Sequence, residues 1–158
     1  MLKFENTQPE MLDQIIEIEQ ADAGWICPYS REQHLHCIDD PSQRHVSVYR
    51  MPEISLIGFI ILQQIDNPNR ALEFRRIVIA EKGRGYGRAC LQWIKKYCFE
   101  ELQFHRLWLD VFTDNERAIR LYESEGFVRE GTLKDHLFVD GKFRSLHLYA
   151  MLEEDYEV

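Results

Sequence analysis

No apolar run in the 158-residue chain comes near the ~20 residues a helix needs to cross a bilayer. The longest, Ile54 to Leu62, is interrupted by Ser55 and Gly58, so a helical span is excluded and no membrane partner is expected. The first residues, Met1-Leu2-Lys3-Phe4-Glu5-Asn6, lack the basic-then-apolar order of a secretory signal, and a cytoplasmic protein is expected. Cysteine is scarce and scattered: Cys27, Cys37, Cys90 and Cys98 show no Cys-x-x-Cys spacing, which leaves reduced thiols acting as small hydrophobes. Histidine offers no metal pattern, because His34 and His36 stand two apart on a predicted helix and His45, His105, His136 and His147 are isolated. No metal is therefore expected. Positive charge is in deficit as well: 19 Lys and Arg against 27 Asp and Glu give a net charge of −8. Binding to nucleic-acid phosphates needs the opposite balance, so no nucleic-acid partner is expected, whereas an amine suits this field.

What is present is ordinary globular composition, 45% hydrophobic and 29% charged, in a length that fits one domain over residues 1–158. There is no repeat, low-complexity stretch or linker. Met1 to Glu5 reads as a short strand. Thr7-Gln8-Pro9-Glu10 reads as a capping box for a helix from about residue 8 to 20, and Ser30-Arg31-Glu32-Gln33 as a second box for a shorter helix through about Ile38. Two antiparallel strands follow, Arg44 to Arg50 and Ile54 to Ile65, and then a third, Leu72 to Ala80. In that third strand Leu72 and Phe74 hold even positions but Ile77 and Ile79 odd ones, and a β-bulge near Arg75-Arg76 would produce the switch. Gly87 to about Leu102 is an amphipathic helix and His105 to Phe112 a strand. Asp114-Asn115 caps a helix through about Glu125, closed by Gly126. Asp140-Gly141 joins a final hairpin of strands around residues 130 to 139 and 142 to 152. The order describes a mixed-sheet α/β domain.

The stretch that carries chemistry is Ile77 to Arg88, a strand running into Gly83, Gly85 and Gly87 and then a helix. A helix start exposes unpaired N–H groups and a partial positive charge, and glycines let the backbone approach an anion closely. Arg75, Arg76, Lys82, Arg84 and Arg88 crowd the same region, in which Glu81 is the only acid. The pattern points to phosphate binding. Gly-x-x-x-x-Gly-Lys-Ser/Thr is absent, and the Rossmann order Gly-x-Gly-x-x-Gly is not met after Gly85-Tyr86-Gly87. Asp110, at a later strand end, could imitate the ribose-binding acid of that fold, but the antiparallel first half leaves too few βαβ units for it.

Here the sequence resembles the GNAT superfamily of N-acetyltransferases. Lys82-Gly83-Arg84-Gly85-Tyr86-Gly87 is similar to its pyrophosphate loop, with Lys82 in place of the usual Arg or Gln, and Asn115 to Phe127 is similar to its second signature. The resemblance covers residues 71 to 137, extends through the final hairpin and fades in the first half. It implies a mostly antiparallel central sheet with one parallel pair, flanked by helices. It further implies acetyl-CoA as cosubstrate: the backbone of Ile77, Val78 and Ile79 on the pantetheine, the loop Lys82, Gly83, Arg84, Gly85, Tyr86, Gly87 and Arg88 on the pyrophosphate, and Asn115 on the coenzyme. Tyr122 would be the general acid that protonates the departing thiolate, and Glu73 is the candidate base. Members of the superfamily often dimerise, so a homodimer is implied, without a surface the sequence identifies.

The final segment, Phe127 to Tyr156, is similar to that of diamine and polyamine N-acetyltransferases, so a small amine acceptor attacking directly in a ternary complex is expected. A protein N-terminus, as in the ribosomal-protein branch, stands as the alternative acceptor. A non-catalytic acyl-CoA sensor stands as the alternative class.

Overall fold

The computed structural model describes residues 1–157. Strands β1 (Leu2–Asn6), β2 (Gln43–Arg50), β3 (Ser55–Gln63), β4 (Ala71–Ile79), β5 (Arg106–Phe112), β6 (Val128–Val139) and β7 (Lys142–Leu152) form one sheet in the order β1-β2-β3-β4-β5-β7-β6. Every neighbouring pair is antiparallel except β4 and β5. Helices α1 (Leu12–Gln20) and α2 (Arg31–Asp39) cover one face, and α3 (Tyr86–Lys96) and α4 (Glu116–Ser124) the other. The continuous apolar run of β3 follows from this sandwiching: Phe59 and Ile61 pack toward α1 and α2, while Ile60 and Leu62 pack toward α3. Each such side chain contributes on the order of 2 kcal/mol of burial. No helix among the described residues is long and apolar enough to cross a membrane.

The Ser30 capping box forms as the sequence predicts, with Ser30 Oγ accepting from the Gln33 amide and Gln33 Oε1 from the Ser30 amide. The Thr7 box does not. A 3₁₀ turn at Pro9–Met11 opens α1, whose start has no side-chain cap. Thr7 is instead buried and bonded to Ser47 Oγ at 2.7 Å and His45 Nδ1 at 2.8 Å. Nor is His45 isolated. Its Nε2 lies 3.0 Å from His34 Nδ1, and His34 Nε2 lies 2.8 Å from Glu19 Oε1. Glu19 Oε2 accepts from Arg76 at 2.7 Å, closing a buried polar chain that links α1, α2, β2, β4 and the turn after β1. The predicted long third helix ends as a helix at Lys96 and continues through a π-helical turn, Tyr97–Glu101, which buries Tyr97, Cys98 and Phe99. Asp140 and Gly141, with φ of 51° and 78°, make the tight turn of the β6–β7 hairpin.

Candidate active site

The bulge falls where the parity switch places it. Ile61 pairs with Arg76 and Leu62 with Phe74, so Arg75 has no partner on β3. On the other side, β4 and β5 pair only through Ala71–Arg106, Leu72–Leu107 and Glu73–Trp108. Beyond Glu73 and Trp108 the strands part, leaving the β5 side of Phe74 to Ile79 without a strand partner. The split opens into a cleft of about 930 Å³ walled by both strands, the 79–88 loop, α4 and the loop after α1. Unpaired strand amides and carbonyls at a cleft wall are ready to bond a ligand that carries amides.

At one end, Lys82, Gly83, Gly85, Tyr86, Gly87 and Arg88 line the cleft. Gly85 caps α3 with φ +79°, a left-handed conformation that glycine adopts without strain, and the first-turn N–H groups of α3 lie at the cleft. The basic side chains are less free than the local sequence suggests, because acids reach them, two of these from distant parts of the sequence. Lys82 Nζ bonds Asp22 at 2.8 Å, Arg88 bonds Glu125 and Ser124 at 3.1 Å each, and Arg84 lies 3.6 Å from Glu81. Anion recognition here therefore falls chiefly to main-chain amides and the helix terminus. Arg84 does not line the cleft, and neither does Val78, which is buried against α1 and α2; Ile77 and Ile79 do line it. Asn115 lines it too and caps α4, its Oδ1 accepting from the Ala118 amide at 3.3 Å.

Tyr122 lines the cleft from α4, its ring edge-on to Phe74 and Phe127. Only 8% of the residue is exposed, and burial first, then the nearby charge of Asp110, raises the phenol well above its ordinary value. The hydroxyl thus keeps its proton at neutral pH. Glu73 is not brought to the cleft wall. It points to the α1/α2 face, opposite Leu72 and Phe74, and is 9% exposed, with its carboxyl raised chiefly by burial, opposed by Arg75 and assisted by Asp110. The bulge is the reason: the parity Glu73 shares with Ile77 and Ile79 is broken at Arg75. In its place Asp110 lines the cleft, 3.9 Å from Arg75, together with Trp25, Ile26, Cys27, His136 and Leu137. His136 and Leu137 arrive there because residues 134–136 bulge out of the β6–β7 pairing, a feature that no turn signal marks.

A mixed sheet split at its parallel pair, with a glycine-rich helix start at one end of the split and a buried tyrosine in it, defines an acyl-transfer scaffold. Residues 12–127 match the family described as acetyltransferase (GNAT) family, and the chain belongs to that family and is an N-acetyltransferase. Among its relatives, the spermidine N(1)-acetyltransferase of Vibrio cholerae is 31% identical over 125 residues, covering 78% of this chain and 70% of that protein. The putative ribosomal N-acetyltransferase YdaF of Bacillus subtilis is 33% identical over 104 residues, covering 65% of this chain and 57% of that protein. The solved Vibrio cholerae spermidine N-acetyltransferase in complex with CoA and spermine superposes with a TM-score of 0.86 at 27% identity, covering 98% of this chain and 96% of that one.

Proposed function

We propose that this chain transfers the acetyl group of acetyl-CoA to a primary amine, with a small amine such as a diamine or polyamine as acceptor and both substrates bound together. The observation that carries the reading is the split between β4 and β5, which joins an anion-ready helix start to a protonated, buried tyrosine. Acetyl-CoA, when bound, supplies a thioester carbonyl. The open edge of Ile77, Val78 and Ile79 suits its pantetheine amides, and the Lys82–Arg88 loop its pyrophosphate. The amine, its ammonium proton having passed to water, forms the new bond to the carbonyl carbon as the carbon–sulfur bond breaks; Tyr122 gives its proton to the sulfur, and the proton that the nitrogen sheds on becoming an amide restores the phenol.

Direct transfer is favoured by two of the four cysteines. Cys90 and Cys98 are buried in the core and their thiols are pushed up to about 12 by that burial, so neither is a nucleophile. The polyamine reading is supported by the names of the Vibrio relatives and by the net charge of −8. The ribosomal name of the Bacillus relative supports a peptide N-terminus as second reading.

A panel of di- and polyamines, monoamines and N-terminal peptides, read by coenzyme release with a thiol reagent, tests this. Release with small amines and not with peptides is expected; release with peptides alone would move the acceptor to protein N-termini. Calorimetric binding of acetyl-CoA without release by any acceptor would leave a sensor. Tyr122→Phe is expected to lower kcat at least tenfold, roughly 1.4 kcal/mol of barrier, with coenzyme affinity retained. Unchanged turnover in that variant removes Tyr122 as the acid.

A further inference from the structure

We propose that Asp110, and not Glu73, is the carboxylate that docks the acceptor's ammonium group. The proposal rests on the acetyltransferase reading and adds to it the group that holds the second substrate.

Five carboxylates line the cleft, Asp22, Glu81, Asp110, Asp114 and Glu116, and four of them are committed or misplaced. Asp22 holds Lys82 at 2.8 Å and Asp114 accepts from Arg144 at 3.0 Å; Glu81 holds Arg50 through Oε1 at 2.5 Å, and its buried Oε2, 3.6 Å from Arg84, belongs to the loop end of the cleft. Glu116 stands exposed in the first turn of α4, where a carboxylate favours the helix terminus. Among the five, only Asp110 and Glu116 make no side-chain hydrogen bond with the described residues, and Asp110 is the more sheltered of the two. Its side chain is 24% exposed, it makes no hydrogen bond, and its nearest cation, Arg75, is 3.9 Å away. A partly sheltered carboxylate with no hydrogen-bond donor leaves its oxygens free to accept from a ligand's cationic group.

Its placement is equally specific. Leu109 and Val111 turn into the core beneath α3 and α4, so strand alternation sends Asp110 to the opposite face. That face carries Arg75, Tyr29 and the loop bearing Trp25 and Ile26. It also lies two residues beyond Trp108, past the last β4–β5 pair, where the sheet no longer separates the two faces. Asp110 and Tyr122 thus line one cleft, and the charge of Asp110 adds to burial in raising the Tyr122 phenol. An ammonium held at Asp110 from the α1/α2 side sits across the split from the α4 tyrosine, with its carbon chain against Trp25, Ile26 and Leu137. Arg75 is held by its contact with the Tyr29 hydroxyl at 3.4 Å; it balances part of the charge and leaves Asp110 oxygens open.

The test is calorimetric titration of the CoA-loaded protein with spermidine and, as a monoamine, benzylamine, beside steady-state kinetics of the same proteins. Asp110→Asn is expected to raise the amine Kd and KM at least about tenfold while leaving CoA affinity unchanged, and Asp110→Glu to restore part of the loss. Glu73→Gln is expected to change both by less than about threefold. Native-like amine binding in Asp110→Asn, or a loss carried by Glu73→Gln instead, overturns the proposal. Turnover of the native chain in the same series tests the acetyltransferase reading separately from the variant-to-native ratios.

Discussion

Gly58 and Gly85 carry the same side chain, a hydrogen, for different reasons, and their substitution separates stability from binding. A Cβ on Gly58 would lie 2.2 Å from the Val78 carbonyl oxygen and 2.7 Å from Ile79 Cδ1, so β3 and β4 must move apart along the strand that walls the cleft. Gly58→Ala is expected to destabilise the fold by about 3 kcal/mol, read as a shift of the urea midpoint. Gly85 has open space around it, and only its φ of +79° resists a side chain. Gly85→Ala should therefore lower stability by only about 1 kcal/mol. Its larger effect is expected on acetyl-CoA affinity by calorimetry, since strain relieved by turning the peptide moves the amides at the α3 start. An unchanged Kd in a folded Gly85→Ala variant would mean that the loop amides do not hold the pyrophosphate.

The elements that the sequence discloses are those whose determinants are local. Ser30 and Gln33 cap α2 because both partners lie within one turn, and the Asp140-Gly141 turn needs only two positive φ angles. The β4 bulge is legible because one strand carries both halves of the parity switch, Phe74 before and Ile77 after. Thr7 misleads, since the same hydroxyl that could cap a helix finds Ser47 and His45, 40 and 38 residues away, and no periodicity records those bonds. The site divides along the same line. The glycine loop, Asn115 and Tyr122 sit on continuous strand-to-helix passages, so their convergence can be inferred from order alone. Asp110 gains its meaning from the end of the β4–β5 pairing, and the loop cations lose theirs through Asp22 and Glu125, both reached only by folding.

Across the whole molecule, the buried chain from Ser47 through Thr7, His45, His34 and Glu19 to Arg76 ties the first two helices to the strand that forms the cleft. One polarity satisfies every member: Ser47 donates to Thr7, Thr7 to His45 Nδ1, His45 Nε2 to His34 Nδ1, and His34 Nε2 to the Glu19 carboxylate, which also receives Arg76. His45 is neutral in this arrangement, since its Nδ1 accepts from Thr7. For His45 that state is enforced by burial first and by the neighbouring His34 second, which push it down to about 3. The unfolded chain protonates the same imidazole near 6.5, so between these values it binds more protons than the folded one, and stability rises with pH. The contribution is complete above about 6.5 and is lost as pH falls toward about 3. From about pH 7.5 to about pH 5 this residue alone is expected to remove about 2 kcal/mol from the folding free energy. Urea titrations at both pH values check this in the native chain and in His45→Gln, which is expected to be weaker at the higher pH but to lose about 2 kcal/mol less on acidification. Equal losses in the two proteins would show that acid destabilises the fold through groups other than this histidine.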